Sequence, residues 1–432
     1  MNTAVQLLQQ YNGSQPFGSF IKQFFSQHKK YGSKDRKHIA QLCYAYFRLG
    51  KALPKLTTEE RLLTGLFFCS QEPNELLQHL KPDWNDQAHL PLTDKIQLAG
   101  IDPGHPGGHS PHNDGHAPDS YRDTMHDIFP WQEALSANIN YETFCASFFT
   151  QPDLFLRLRP GAAPVVKSKL HQAGIAFREI GNACLALPNA SKVDTVIEPD
   201  KEAVIQDYSS QRIGEFLEFI RTSTSLRASE PAPSTSDYAK APADKSLRAL
   251  KVWDACAASG GKSILAYDIF NPIDLTVSDV RKSILINLEK RFAAAGIKKY
   301  NAFLTDLSTS KLDPPSLTLR TGKHSTFDII ITDVPCTGSG TWSRTPEQLY
   351  YFDPHQIDRF SALQKKIVHN AIPHLKPGGF LLYCTCSVFN KENEEVVQYI
   401  QEQHPLQLLK SALLTGYEMK ADTLFGAVFQ KK

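Results

Sequence analysis

The sequence predicts a multidomain α/β fold preceded by a helical N-terminal region, and three observations carry that expectation. From Leu247 onward, short apolar runs (ALKVWDA, LTVSD, AFLTD, FDIIITDV, GFLLYCT) each end in a polar or small residue and alternate with helical stretches such as VRKSILINLEKRFAAAG. Such alternation is the signature of parallel strands joined by crossover helices. Residues 1–97 carry helical periodicity instead: KDRKHIAQLCYAYFRLGK places Ile39, Leu42, Cys43, Tyr46 and Leu49 on one face. Finally, 432 residues exceed one ordinary domain.

Taken in order, four regions are expected. Residues 1–140 form a helical region with short connections, interrupted at 99–126 by a stretch rich in Gly, Pro and His that reads as an irregular surface insertion. His105, His109, His112 and His116 lie there without a cysteine or regular turn to fix them, so no metal site is expected. Residues 150–220 read as a small α/β unit: DLFLRLRP as a strand, APVVKSKLHQAG as a helix, IAFREIGNACLALP as strand and turn. Residues 221–246, rich in Ser, Ala and Pro, read as a linker or disordered loop, and 247–432 form the main α/β domain.

Composition bounds the function. With 41% hydrophobic and 21% charged residues the chain can bury sizeable cores. The N-terminus lacks a basic segment followed by an apolar one, and no apolar run approaches the ~20 residues of a membrane span, so neither a signal peptide nor a membrane partner is expected. Eight scattered cysteines suit reduced thiols and a cytoplasmic location. Net charge is only +2, yet residues 1–56 hold nine Lys/Arg (Lys22, Lys29, Lys30, Lys34, Arg36, Lys37, Arg48, Lys51, Lys55) against Asp35. A basic lobe of this kind suits a polyanion such as RNA, and a solvated helix face is the other reading.

The chemistry-bearing motifs sit at the ends of the apolar runs, where open α/β sheets bind ligands. The first is Asp254 to Ser263, DACAASGGKS, between a strand and a helix. Small residues there let a ligand approach the backbone, and the helix start offers free N–H groups. It is neither GxGxxG nor a full Walker A motif, which argues against a nucleotide triphosphate. Asp279 ends the next strand, where an acid can accept both hydroxyls of a ribose. Asp306, ending the third, stands where a carboxylate could meet an adenine amino group. The second pair of motifs is TDVPCTGSGT (Thr332–Thr341) and YCTCS (Tyr383–Ser387). Each follows a strongly apolar strand, so Cys336 and Cys386 should share one rim with Asp333 and the ligand pocket, an arrangement suited to nucleophilic chemistry. Cys384 is expected on the opposite strand face from Cys386, buried and inert. The Cys384-x-Cys386 spacing lacks the two-residue gap of a zinc site.

The motifs DACAASGGKS, SDVRKS, TDVPCTGSGTWSRTPE and GGFLLYCTCSVFNKENEEVV resemble those of the Sun (Fmu) family of RNA cytosine-5 methyltransferases, whose bacterial members act on 16S ribosomal RNA. The resemblance covers at least Ala203–Phe429. Upstream, IQDYSSQ is similar to the family's segment before the catalytic domain. LFLRLRP resembles its small RNA-recognition-like domain, and KDRKHIAQLCYAYFRLG more loosely the helical NusB-like domain of some members.

The resemblance implies a Rossmann-like methyltransferase domain that uses S-adenosylmethionine. Cys256, Ala257, Ala258, Ser259, Gly260, Gly261 and Lys262 would cradle it, Asp279 would bind its ribose and Asp306 its adenine side. Asp333 would stand beside both cofactor and target base, Cys386 would be the nucleophile, and Cys336 would help release product. Ribosomal RNA is the implied substrate and tRNA the alternative; a non-catalytic ribosome-assembly factor would not require Asp333, Cys336 and Cys386 together. Ser259 replaces the family's usual proline, Cys384 a more common serine, and Asp422 to Phe425 only approximate its C-terminal signature. The His-rich insertion has no counterpart.

Overall fold

The computed structural model describes residues 1–99, 119–228, 249–309 and 326–432. These fall into two compact units. The first comprises residues 1–152 together with 339–356 and 417–420; the second comprises 153–338, 357–416 and 421–432.

The first unit is helical. Its helices include Asn2–Gln10, Phe17–Gln27, Ser33–Arg48, Thr58–Cys69, Leu92–Leu98, Asp119–Ile128 and Tyr141–Ser147. As the periodicity requires, Ser33–Arg48 buries Ile39, Leu42, Cys43 and Tyr46. Thr57 and Glu60 form a reciprocal capping box at the start of Thr58–Cys69. Gly65 lets that helix cross Ser33–Arg48 closely, because a Cβ there would strike the Ala45 carbonyl. Residues 339–356, a piece of the expected 247–432 domain, pack within this unit. Trp342 is fully buried, with its ring 6.0 Å from Phe129 and 4.6 Å from Phe352. Phe17 N–H donates to Glu347 Oε1 at 3.1 Å, and Arg48 Nη2 to the Ser343 carbonyl at 2.8 Å. Arg48 is therefore buried and unavailable to a polyanion, unlike the exposed Lys29 and Lys30.

The second unit holds two sheets. Strands β1 (Leu154–Leu158), β2 (Arg178–Ile180), β3 (Cys184–Leu187) and β4 (Ala203–Ile205) form an antiparallel sheet in the order β2-β3-β1-β4, packed on the helix Ala163–Gln172. Strands β5 (Leu250–Asp254), β6 (Ile273–Asp279), β7 (Asn301–Leu304), β8 (Phe327–Asp333), β9 (Leu375–Thr385), β10 (Leu406–Leu414) and β11 (Leu424–Lys431) form the main sheet. Its order is β10-β11-β9-β8-β5-β6-β7, parallel from β9 to β7 and antiparallel at β11 and β10. Both faces are covered, which is why these strands read as continuous apolar runs. Val252, Val277, Ile329, Ile331, Leu382 and Cys384 face one core with the helices Gly214–Ala228, Gly261–Phe270 and Lys282–Ala294. Trp253, Ile330, Leu381 and Tyr383 face the other, with His355–Ala371 and Glu394–Gln403.

Two expected irregular stretches are shorter than the sequence suggests. Helix Gly214–Ala228 runs past residue 221, where the composition suggests the start of a linker. Phe216, Leu217 and Ile220 anchor it in the core, and the hydroxyls of Thr222, Ser223 and Thr224 bond back to carbonyls of the preceding turn. The helix Asp119–Ile128 likewise occupies the end of the expected insertion 99–126, because Met125 and Ile128 bury. The rest of both stretches, 100–118 and 229–246, lies outside the described residues, as do all four of the expected insertion's singled-out histidines.

Candidate active site

The carboxyl ends of the parallel strands open onto one cavity of about 540 Å³. Its lining includes Cys256, Ala258, Asp279, Asp306, Asp333, Cys336 and Cys386, seven of the residues the sequence singles out. Val280, Leu307, Leu363 and Ile367 supply apolar walls.

The turn after β5 builds one side. Ala258 has φ +45° and Gly260 φ +84°, and a Cβ on Gly260 would lie 2.7 Å from the Phe292 ring. Only glycine fits that close, left-handed position. Ala258 N–H donates to Asp279 Oδ2 at 3.0 Å, and Arg281 N–H to Oδ1 at 2.9 Å, so two backbone donors from different loops fix the Asp279 carboxylate. Asp306 lies two residues beyond β7 rather than at its end; it is exposed and caps a turn by accepting from Ser308 N–H at 2.8 Å.

The other members of the expected cradle support the turn instead of lining the cavity. Ala257 is buried, and its N–H donates to the Ser278 carbonyl at 2.9 Å. Ser259 Oγ accepts from Arg291 Nη1 at 3.0 Å, a bond that the family's proline would not make. Gly261 begins the following helix. Lys262 Nζ reaches Asp333 Oδ2 at 2.7 Å across the strand ends. Burial works against its charge, but the Asp333 carboxylate together with Cys384 and Cys386 outweighs burial and holds the Lys262 pKa above the ordinary lysine value.

The two cysteines meet at the rim. Cys336 follows β8 by three residues and Cys386 follows β9 by one, and their Sγ atoms are 3.2 Å apart. The hydrogen bond to Cys386, with burial added, pushes the Cys336 thiol well above its ordinary value. The expectation that Cys384 and Cys386 occupy opposite faces is corrected. Side chains alternate along a strand, so residues two apart share a face, and both pack toward the same core. What separates them is depth: Cys384 lies within β9 and is fully buried, whereas Cys386 lies just beyond its end.

The sequence motifs assign no role to Glu392, although it lies in the NKENEEVV stretch that follows the second cysteine. It is wholly buried, and its carboxylate accepts from Thr337 N–H (2.9 Å), Thr337 Oγ1 (2.6 Å), Ser387 Oγ (2.5 Å) and Gln364 Nε2 (3.0 Å). Burial pushes its pKa up, against those donors. No local signal marks it: Lys391, Glu394 and Glu395 surround it in the chain, and only the fold buries this acid among its neighbours.

Residues 241–423 match the family model described as 16S rRNA methyltransferase RsmB/F. Among curated relatives, the probable ribosomal RNA small subunit methyltransferase B of Bacillus subtilis is 30% identical over 155 residues, 36% of this chain and 33% of that protein. The mouse tRNA (cytosine(72)-C(5))-methyltransferase NSUN6 is 32% identical over 174 residues, 37% of this chain and 34% of that protein. The chain thus aligns with about a third of the length of these relatives. The crystal structure of PH0851 superposes with a TM-score of 0.65 over 99% of this chain and 97% of that one, at 18% identity. That of NSun6 from Pyrococcus horikoshii with SFG gives 0.52 over 73% of this chain and 98% of that one, at 13% identity; both are likenesses of fold. The doubly covered, largely parallel sheet is the Rossmann-like methyltransferase architecture, and residues 241–423 of the chain are similar to the RsmB/F methyltransferases.

Proposed function

We propose that this protein transfers a methyl group from S-adenosylmethionine to carbon 5 of a cytosine in RNA, with Cys386 as nucleophile and Cys336 promoting release. The observation that carries this reading is the pair of sulfurs 3.2 Å apart on the rim of a cavity that also presents Asp279, Asp306 and Asp333. Methylation of a nitrogen needs no covalent adduct and no second cysteine. The relatives' names support the same chemistry: one specifies methylation of small-subunit ribosomal RNA and the other methylation of a tRNA cytosine at C5.

The cavity suits that donor. Asp279 and Asp306 offer carboxylates to sugar hydroxyls and an amino group, Val280 and Leu307 offer apolar contact to a flat base, and Ala258 brings backbone close. When bound, S-adenosylmethionine supplies an electrophilic methyl group on a sulfonium. Cys386 adds its sulfur to carbon 6 of the cytosine, which makes carbon 5 nucleophilic toward that methyl group. The hydrogen bond to Cys386, burial and the charge on Cys386 together keep the proton on Cys336 while Cys386 attacks. Once Cys386 is a thioether, the neighbouring charge that opposed ionisation of Cys336 is gone. Cys336 can then release its proton to solvent water and take the one on carbon 5; the carbon 5–hydrogen pair becomes the ring double bond, and the carbon 6–sulfur pair returns to Cys386. Lys262 holds Asp333 in place for the polar edge of the base. The base itself must be single-stranded or flipped out to enter.

Denaturing electrophoresis tests the roles. Cys336→Ala is expected to accumulate an RNA-shifted protein band that depends on S-adenosylmethionine, and Cys386→Ala to give neither band nor product. The double variant should lose the band. An adduct in Cys386→Ala and none in Cys336→Ala would reverse the assignment. Ribosomal RNA is the proposed substrate. Bisulfite sequencing of total RNA with and without the protein should show one cytosine losing protection there; loss confined to tRNA would move the substrate to that class.

A further inference from the structure

We propose that Glu392 is a positioning residue that sets the spacing of the two active-site cysteines, an inference that rests on the methyltransferase reading above. The argument is one of connectivity. Thr337 directly follows Cys336 and gives Glu392 both its N–H (2.9 Å) and its hydroxyl (2.6 Å). Ser387 directly follows Cys386 and gives its hydroxyl to the same oxygen at 2.5 Å. The two hydroxyl oxygens are themselves 3.3 Å apart, brought together on that one acceptor. Gln364, from the helix His355–Ala371, donates to Glu392 Oε1 and to the Pro335 carbonyl, each at 3.0 Å. One carboxylate therefore ties together the residues next to both sulfurs, and Gln364 ties in the residue before Cys336.

Packing alone would not call for a carboxylate here. Burying a charge is costly, and an apolar side chain of similar volume usually fills such a place at no loss of stability. What an apolar side chain cannot do is accept several directed hydrogen bonds from two separate loops at once. The carboxylate is itself oriented: its residue is held by Tyr383 Oη donating to the Glu392 carbonyl at 2.6 Å. The neighbouring Asn393 repeats the pattern, accepting from Thr385 Oγ1 at 2.6 Å and donating to the Ser387 carbonyl at 2.9 Å. The stretch after the second cysteine thus builds a polar scaffold under the cysteine rim, in which Glu392 bonds to both cysteine loops. The two sulfurs must alternate as attacking group and release partner on one base, so a shift of either loop by about 1 Å would cost rate on the order of 100-fold.

The test reads the sulfur spacing directly. Diamide removes two electrons and two protons from the thiols and is itself reduced to a hydrazine as the Cys336–Cys386 disulfide forms. Its rate in the full-length protein, mapped by tryptic mass spectrometry, measures how well the sulfurs are aligned. Glu392→Ala is expected to slow crosslinking at least about 10-fold and to lower kcat with little change in KM or in S-adenosylmethionine affinity. Glu392→Gln, which keeps the shape, should recover part of both. Should Glu392→Ala not fold, Thr337→Val and Ser387→Ala each cut one arm of the same scaffold and should each slow crosslinking. Wild-type crosslinking rates in all the folded variants would overturn the proposal. If the wild-type protein methylates no RNA while the variants still crosslink slowly, the spacing role stands and the methyltransferase reading fails. Methylation by the wild type with unchanged crosslinking in the variants removes the spacing role and leaves the methyltransferase reading standing.

Discussion

Asp254 shows how much a single strand-end residue depends on its surroundings. It ends β5 and is fully buried; Ser263 Oγ donates to one carboxylate oxygen at 2.6 Å, and the other has no hydrogen-bond partner among the described residues. Burial pushes its pKa up to about 7, with Ser263 working against the rise and the charge of Asp333 adding to it. An unfolded aspartate titrates near ~3.9, so between about pH 4 and pH 7 the folded state holds a proton that the unfolded state has released. The contribution of this group is therefore greatest below about pH 4 and is lost as pH rises through about 7. Asp254→Asn, which cannot ionise, should gain on the wild type in urea midpoint between pH 5 and pH 8. Parallel pH trends in the two proteins would refute the buried, proton-holding carboxyl. At the neighbouring Asp279 two backbone donors meet the carboxylate, a distinction in hydrogen bonding that no strand-end pattern contains.

At the scale of elements, buried ion pairs fix the small sheet to the helices of the main one. Arg157 in β1 and Arg159 just after it converge on Asp268 at 2.6 and 2.9 Å, and the three side chains are at most 10% exposed. Arg291 bridges Asp200 of the small sheet's last loop (2.7 Å) and Ser259 of the turn after β5 (3.0 Å). Asp268→Ala would leave two guanidinium groups buried without their counter-ion, and should cost about 3–5 kcal/mol in denaturant unfolding. Adding Arg157→Leu and Arg159→Leu should return much of that loss; a loss of under about 1 kcal/mol would mean that water already screens the pair. The strands and the helix Ala163–Gln172 were legible because each carries its own periodicity. These pairings were not, since the partners stand some 110 residues apart.

At the scale of the whole molecule, the helical unit is more than an added N-terminal module. It contains residues 339–356, with Trp342 among Phe129, Trp131 and Phe352, and Tyr351 Oη donating to the Tyr11 carbonyl at 2.7 Å. Deleting residues 1–97 removes Tyr11, Phe17 and Arg48, three of the partners of that segment. Limited trypsin digestion should then cut after Arg344 in the truncated protein well before it does so in the full chain. Equal resistance in the two proteins would show that the segment holds its conformation unaided. Sequence order alone places 339–356 in the C-terminal domain, since local patterning does not reveal that Ser343 and Glu347 find their partners some 300 residues upstream.

The sequence by itself determined where β5, β6, β8 and β9 end, and with them the shared rim of Asp279, Asp333, Cys336 and Cys386. Apolar runs that stop at a polar residue encode where a strand leaves its buried layer, and that signal is local. The likeness to the RsmB/F methyltransferases was legible as well, because the cysteine motifs are contiguous. Only the tertiary structure decided that Lys262 pairs with Asp333, that Ser259 serves Arg291 rather than the cavity, and that Glu392 joins the two cysteine loops. Each of these is a polar bond between elements far apart in the chain. Such bonds depend on which surfaces the folded layers bring within about 3 Å, a distance that residue type and spacing alone do not specify.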